Sequence, residues 1–128
     1  MKLEVGMYVR TKHFDDEGHL LEPVITKIRD MTDYGIYLDD FGNCNEEHII
    51  KASHSLLGND KEPCLIEVGD YVNGEKVLLV QKYAKVNHKQ GTCLIQTDAY
   101  DINDNEQFLI KSIVTKEQFE SVSYKVGE

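Results

Sequence analysis

The 128-residue chain reads as a mainly β protein built from two tandem copies of one small unit, with a short helix near its C-terminus. Three observations lead there. Leu3-Glu4-Val5-Gly6-Met7-Tyr8-Val9 returns almost letter for letter as Ile66-Glu67-Val68-Gly69-Asp70-Tyr71-Val72. Glu46-Glu47-His48-Ile49-Ile50-Lys51 returns as Glu106-Gln107-Phe108-Leu109-Ile110-Lys111. Between these anchors, Val24 to Ile28 parallels Val77 to Val80, and Tyr34 to Leu38 parallels Thr92 to Gln96, so four segments recur in one order, the mark of a duplicated unit.

Within each copy the apolar runs are short, rich in Val, Ile and Tyr, and separated by turn residues, which is strand patterning. Gly6 and Gly69 each precede a Tyr-Val strand entry. In the second copy Asn73-Gly74 follows at once, and both residues tolerate the positive φ of a type I′ hairpin turn. The first copy has a much longer connection there, Thr11 to Pro23, carrying Asp15-Asp16-Glu17-Gly18. Asn45-Glu46-Glu47 suits a single helical turn before the Ile49-Ile50 strand.

Thr115-Lys116-Glu117-Gln118 fits a capping box, with Thr115 as N-cap and Gln118 reaching back to its amide. It predicts a short helix near 115–120 with Phe119 packed inward. Ser121 to Val126 alternates polar and apolar residues and reads as a last strand.

Five short strands in about 60 residues, opening with a hairpin, are what an SH3-like small β-barrel requires. The expectation is therefore two tandem SH3-like barrels: residues 1–55, an acidic copy; a linker at 56–65; and residues 66–128 with the short helix. The stretch from Ser53 to Pro63 is mostly polar and contains Gly and Pro, as linkers do. Units of this size bury only about 60% of their unfolded surface, so the copies should pack on each other or form a homodimer.

Charge bounds the function. Fourteen Lys and Arg stand against 23 Asp and Glu, giving −9. Residues 1–62 hold 13 acids and 7 bases, −6, and residues 63–128 hold 10 and 7, −3. Such a surface repels phosphate backbones and suits a basic protein partner. No apolar run approaches the 18–20 residues, roughly, of a membrane span, and the N-terminus lacks the apolar core of a secretory signal. Three cysteines, an odd count, read as reduced thiols. The expected location is the cytoplasm of the cell that makes the protein.

Catalytic and metal motifs are weak. Cys44, His48, His54 and Cys64 supply four possible zinc ligands within 21 residues but lack the close Cys pairs of structural sites. Asp101 to Asn105 opens like an EF-hand loop, yet Glu106 stands where Gly is needed and Ser112 where Glu is needed. Gly-x-Ser-x-Gly, the phosphate-cradling Gly-rich loop and His-Glu-x-x-His are all absent. The expectation is a non-enzymatic protein with no cofactor and no metal.

The partner-binding residues expected on the acidic copy are Phe14, Asp15, Asp16, Glu17, Tyr34, Asp39 and Asp40. They combine carboxylates with loop aromatics, and Tyr is an apt anchor at interfaces. A second set, Lys82, Tyr83, Lys85, His88 and Lys89, is the densest basic stretch and would suit an anionic ligand.

Leu3 to Thr11, Ile50 to His54, Ile66 to Gly74 and Ile110 to Phe119 resemble a family of small uncharacterised proteins from phages and prophages of Gram-positive, clostridial-type bacteria. The family brings no established active residues. The resemblance implies a phage accessory protein, and the expected role is stoichiometric inhibition of a host defence protein, in the manner of an anti-CRISPR, by an acidic surface covering a basic nucleic-acid-handling site. The alternatives are an oligomeric sponge for a nucleotide immune signal, using the Lys82–Lys89 set, and a plain accessory or structural protein.

Overall fold

A computed structural model describes residues 2–16, 19–59, 61–82 and 93–120. The chain is mainly β, arranged as two five-stranded antiparallel sheets. The first sheet is built from β1 (Tyr8–Thr11), β4 (Ile25–Thr32), β5 (Gly35–Leu38), β6 (Gly42–Cys44) and β7 (Ile49–Ser53). Between β1 and β4 a separate hairpin is inserted, β2 (Phe14–Asp16) paired with β3 (His19–Leu21). The second sheet is built from β8 (Tyr71–Val72), β9 (Glu75–Lys82), β10 (Cys93–Thr97), β11 (Asp101–Asn103) and β12 (Ile113–Val114). A short helix, α1, covers 116–120, and among the described residues no helix is long and apolar enough to cross a membrane.

The duplication is structural. The strand orders are β6-β5-β4-β1-β7 and β11-β10-β9-β8-β12, so each strand of the first sheet has its counterpart at the same place in the second. Ile28 donates to Met7 O and accepts from Gly6 N, and Val77 does the same with Asp70 O and Gly69 N. Both central hairpins carry one bulge at the same place, at Arg29 in the first unit and at Leu78 in the second. A 3-10 turn precedes the last strand in both, Glu46–His48 after Asn45 and Asp104–Leu109 after Asn103.

The ladders correct three alignments made from the letters: Val77 corresponds to Ile28 rather than to Val24, Tyr37 corresponds to Gln96, 59 residues on rather than 58, and the last strands shift as well. Tyr8 pairs with Ser53 and Tyr71 with Val114, so equivalent residues in the last strands lie 61 apart, 114 minus 53. The Glu46/Glu106 match implies 60. The N-caps, Asn45 and Asn103, lie 58 apart, and the second 3-10 segment is longer by three residues, six against three. Ile49 thus corresponds to Ile110, each donating its amide to the carbonyl three residues back.

The Asn73-Gly74 expectation holds: φ is 51° and 84°, the paired positive values of a I′ turn joining β8 to β9. The capping box also forms, with Thr115 N donating to Gln118 Oε1 at 3.0 Å and Gln118 N donating to Thr115 Oγ1 at 3.2 Å. Phe119 is not packed inward. It stacks on Tyr71 at 4.0 Å between ring centroids and stays 40% exposed. The ladders leave β6 and β7, and β11 and β12, as sheet edges, and no closed barrel is formed by the described strands. The strand expected at Ser121 to Val126 lies outside the described residues.

Each sheet buries one face, as alternation along antiparallel strands requires. Val9, Ile28, Ile36, Leu38, Cys44 and Ile49 fill the first core. Their counterparts Val72, Val77, Ile95 and Ile102 fill the second, together with Leu57, Leu65 and Ile66 from the connecting segment and Ile25 from the first unit. The connecting segment is therefore half core. Polar in composition, it still delivers Leu57 and Leu65 with no exposed surface.

Candidate functional site

The outer face of β1 is where the units meet. Val9 faces the first core, so Tyr8 and Arg10, its neighbours on a two-residue period, face the other way, toward the second unit. Arg10 is buried there against Asp70. Its Nη1 lies 2.6 Å from Asp70 Oδ2 and its Nη2 donates to Oδ1 at 3.1 Å, while Nη1 also donates to Leu65 O at 3.0 Å. Asp70 further accepts from Glu67 N at 2.7 Å and Lys116 N at 3.0 Å, so the buried carboxylate is fully served.

Around this pair stand Glu67 and Glu117, each within 3.5 Å of the guanidinium, and Lys51 and Lys116, both bridged to Glu67. Three cations and three carboxylates balance. Burial alone would lower the Arg10 pKa; the hydrogen bond and charge of Asp70 outweigh it and raise the pKa. Burial would raise the Glu67 pKa, but Lys116, Arg10 and Lys51 bring it below the ordinary carboxylate value.

Beside this junction a groove of about 370 Å³ opens between the units. Tyr8, Ile25, Thr26 and Lys27 of β1 and β4 form one wall, and Ile110, Lys111, Ser112 and Ile113 form the other. Leu56 of the connecting segment and the Asp39-Asp40 turn complete it. Lys27 Nζ lies over the Tyr8 ring, 5.3 Å from its centroid. Asp39 is held by its backbone, its amide donating to Lys27 O at 3.0 Å and its carbonyl accepting from Thr26 Oγ1 at 2.9 Å. Asp40 adopts φ 66°, a left-handed conformation that Asp and Asn tolerate better than most residues. The backbone bonds that hold Asp39 thus do not involve its carboxylate.

No family model, curated protein or solved structure matches the chain.

Of the seven residues expected to bind a partner, Asp39 and Asp40 line this groove. Tyr34 is 87% exposed in the β4–β5 turn, at the other end of β5 from Asp39. Five residue-to-residue steps of extended chain separate them, about 17 Å at 3.3 Å per step. Phe14, Asp15 and Asp16 form β2, opposite Leu21, Leu20 and His19; Glu17 lies outside the described residues. Of the alternative set, Lys82 ends β9 opposite Cys93, and Tyr83, Lys85, His88 and Lys89 lie outside the described residues.

Cys44, His48, His54 and Cys64 do not gather. Among the described residues no group of three or more His, Cys, Asp and Glu is arranged to hold a metal ion. His48 Nδ1 accepts from Asn45 N at 3.0 Å and caps its 3-10 turn. His54 lies between Glu62, 2.7 Å from Nδ1, and Glu4, 3.3 Å from Nε2. Cys64 donates its thiol to Ile66 O at 3.5 Å. Asp101 to Asn103 is strand β11, leading into the second 3-10 segment.

Sequence reasoning passed over Tyr8, Lys27 and Lys111 as site residues. Tyr8 reads as a structural repeat position equivalent to Tyr71, and it becomes a groove residue only because the second unit docks beside it. Nothing local to Lys27 or Lys111 marks them.

Chemically, the groove offers two carboxylates, an aromatic face already attracting a cation, and apolar surface from Ile25, Leu56, Ile110 and Ile113. That combination recognises a basic side chain carried on an apolar stem: carboxylate for the charge, ring face for cation–π attraction, aliphatic wall for the methylenes.

Proposed function

We propose that this chain is a non-enzymatic binding protein whose inter-unit groove takes basic side chains from the surface of a partner protein. The observation that carries the reading is the Asp39-Asp40 turn set against the Tyr8 ring, on a chain of net charge −9. Lys27 over Tyr8 acts as the chain's own occupant of the ring face, and a partner's Arg or Lys takes its place. Long-range steering by the −9 field speeds the encounter, and the groove supplies the register.

Each unit is an SH3-like module in this reading. Support comes from the strand order, the 3-10 turn before the last strand and the long first connection of the first unit. In the setting implied by the resemblance to phage and prophage proteins, the partner is a host defence protein, and occupancy of its basic, nucleic-acid-handling surface inhibits it one to one.

The test is a pull-down from a Gram-positive host lysate at low and high salt, run with wild type and with Asp39→Asn/Asp40→Asn. Asn keeps the left-handed backbone at residue 40 and leaves the backbone bonds of residue 39 intact. A stoichiometric basic protein should be retained by wild type at low salt, and lost both at high salt and with the double variant. Equal retention by the variant removes the groove from the reading.

A further inference from the structure

The inter-unit groove holds charges of both signs, and neither sign neutralises the other. Asp39 and Asp40 stand on the turn, Lys27 on the β4 wall and Lys111 on the wall of the second unit. Among the described residues none of these four forms an ion pair. The junction beside the groove is the opposite case. There Arg10, Lys51 and Lys116 each meet Glu67, and Asp70 and Glu117 close on Arg10.

Distance is not the reason. Leu38 pairs with Ile28, and one step further the Asp39 amide donates to Lys27 O, so Asp39 and Lys27 are neighbours across the sheet. Opposite charges at that spacing are well placed to pair. The Lys27 ammonium instead lies over the ring of Tyr8, its partner on the other side, 5.3 Å from the centroid. Tyr8, Lys27 and Asp39 thus make a row of ring, cation and carboxylate across neighbouring strands, with Lys111 on the opposite wall.

The two ammonium groups change what the groove selects. A partner cation that takes the ring face displaces Lys27 and enters a site where Lys111 already stands. Two carboxylates against two ammonium groups leave the groove itself without net charge, so a bare cation meets repulsion as well as attraction. The ligand that satisfies all four groups carries both signs on an apolar stem, the stem lying on Ile25, Leu56, Ile110 and Ile113. A volume of about 370 Å³ is near the lower end of small-ligand sites, about 300–1,000 Å³, and fits one residue. Resting on the reading of this groove as a site for basic side chains, we propose that its occupant is the C-terminal arginine or lysine of the partner protein. The terminal carboxylate meets Lys27 and Lys111, while the side-chain cation sits between the Tyr8 ring and the Asp39-Asp40 turn. A chain terminus fits better than the free amino acid. The free amino acid sets an α-ammonium against the two lysines, where a chain has a neutral peptide bond.

Nitrogen-15 chemical-shift titration of the full chain tests this. The probes are an acetylated glycine-serine peptide ending in arginine with a free carboxylate, its C-terminal amide, its norleucine analogue, and free arginine. The free-carboxylate arginine peptide should shift the Thr26 and Ser112 amides and saturate with a Kd below about 1 mM. Each of the other probes lacks a charge-assisted contact or adds a cation, and should bind about tenfold more weakly or worse. Lys111→Gln, at an exposed side chain, should bring the carboxylate peptide down to the affinity of the amide and leave the amide no weaker; its own spectrum shows that it is folded. An amide that binds as tightly as the free carboxylate overturns this inference and leaves the groove a site for basic side chains. Free arginine that binds as tightly as the peptide overturns the chain terminus as occupant. A norleucine peptide that binds equally, or arginine peptides that shift no groove resonance, overturn both readings.

Discussion

Arg10 and Asp70, sixty residues apart, form a buried two-pronged ion pair in which Nη1 meets Oδ2 at 2.6 Å and Nη2 meets Oδ1 at 3.1 Å. The pair breaks the symmetry of the repeat that contains it. Asp70 stands where the first unit has the buried Met7, and Arg10 stands where the second has Asn73. The residues by which the two copies differ are the ones that join them.

Removing one partner of this pair should destabilise the protein more than removing both. Asp70→Asn sets a neutral amide against the buried guanidinium; breaking a buried pair on one side costs up to about 3–5 kcal/mol, and Glu67 and Glu117, within 3.5 Å of the guanidinium, offset part of that. Arg10→Met/Asp70→Leu removes both charges and should recover part of that loss, since apolar replacement of a whole buried pair is often close to neutral, while the amides of Glu67 and Lys116 lose the carboxylate they donate to. Urea denaturation of the three proteins checks it. A single variant within about 1 kcal/mol of wild type would show that the pair is solvated in solution.

His54 should make stability fall as pH rises. Hydrogen bonds to Glu62 and then Glu4, with the charge of Glu62, raise the imidazole pKa above its ordinary 6.5. The folded state therefore binds the proton more tightly than the unfolded chain. The contribution is fully present below about 6.5 and disappears as pH climbs through the raised folded value. His54→Gln should flatten this part of the curve, read as urea midpoints from below pH 6.5 upward. An unchanged slope in the variant would assign the pH dependence to other groups.

Gly58 and Gly74 both hold positive φ, 72° and 84°, but alanine should be tolerated very differently at the two. At Gly74 a Cβ meets nothing within 4 Å, so only conformational strain is added, about 1 kcal/mol. At Gly58 the Cβ would lie 2.5 Å from the carbonyl oxygens of both Glu62 and Pro63, which are backbone and cannot swing aside. Gly58→Ala must move the segment that delivers Leu57 and Leu65 to the second core, and a loss of about 3 kcal/mol or more is expected. Thermal melts of the two variants decide it. Equal losses would mean that the connecting segment shifts freely.

What could be read from the letters was local. Asn73-Gly74 and Thr115 to Gln118 place their chemistry within four residues, and both turned out as expected because neighbours in sequence are neighbours in space. His48 likewise caps its own turn. The repeat was visible for the same reason, since Gly6 and Gly69 open equivalent strands through contacts that each unit makes by itself. Its register in the last strands was not visible, because a three-residue lengthening of the second 3-10 segment shifts the match by one without altering the letters that suggested it.

By itself the sequence determined the mainly β class, the duplication, the Asn73-Gly74 turn, the helix cap and the excess of acid; the closed barrels it suggested are not formed by the described strands. Each feature it determined is a property of composition or of residues a few positions apart. Tertiary structure alone decided which acids matter and where the units meet. Asp70 has the look of a solvated turn acid, and is instead the buried partner of Arg10. Leu57 sits in a polar stretch, and is instead core. Asp39 and Asp40 read as one acidic pair among several, and gain Tyr8 as a neighbour only through docking of the second unit. Burial and partnership between residues 30 to 60 positions apart depend on how two preformed sheets pack, and no local pattern of letters encodes that.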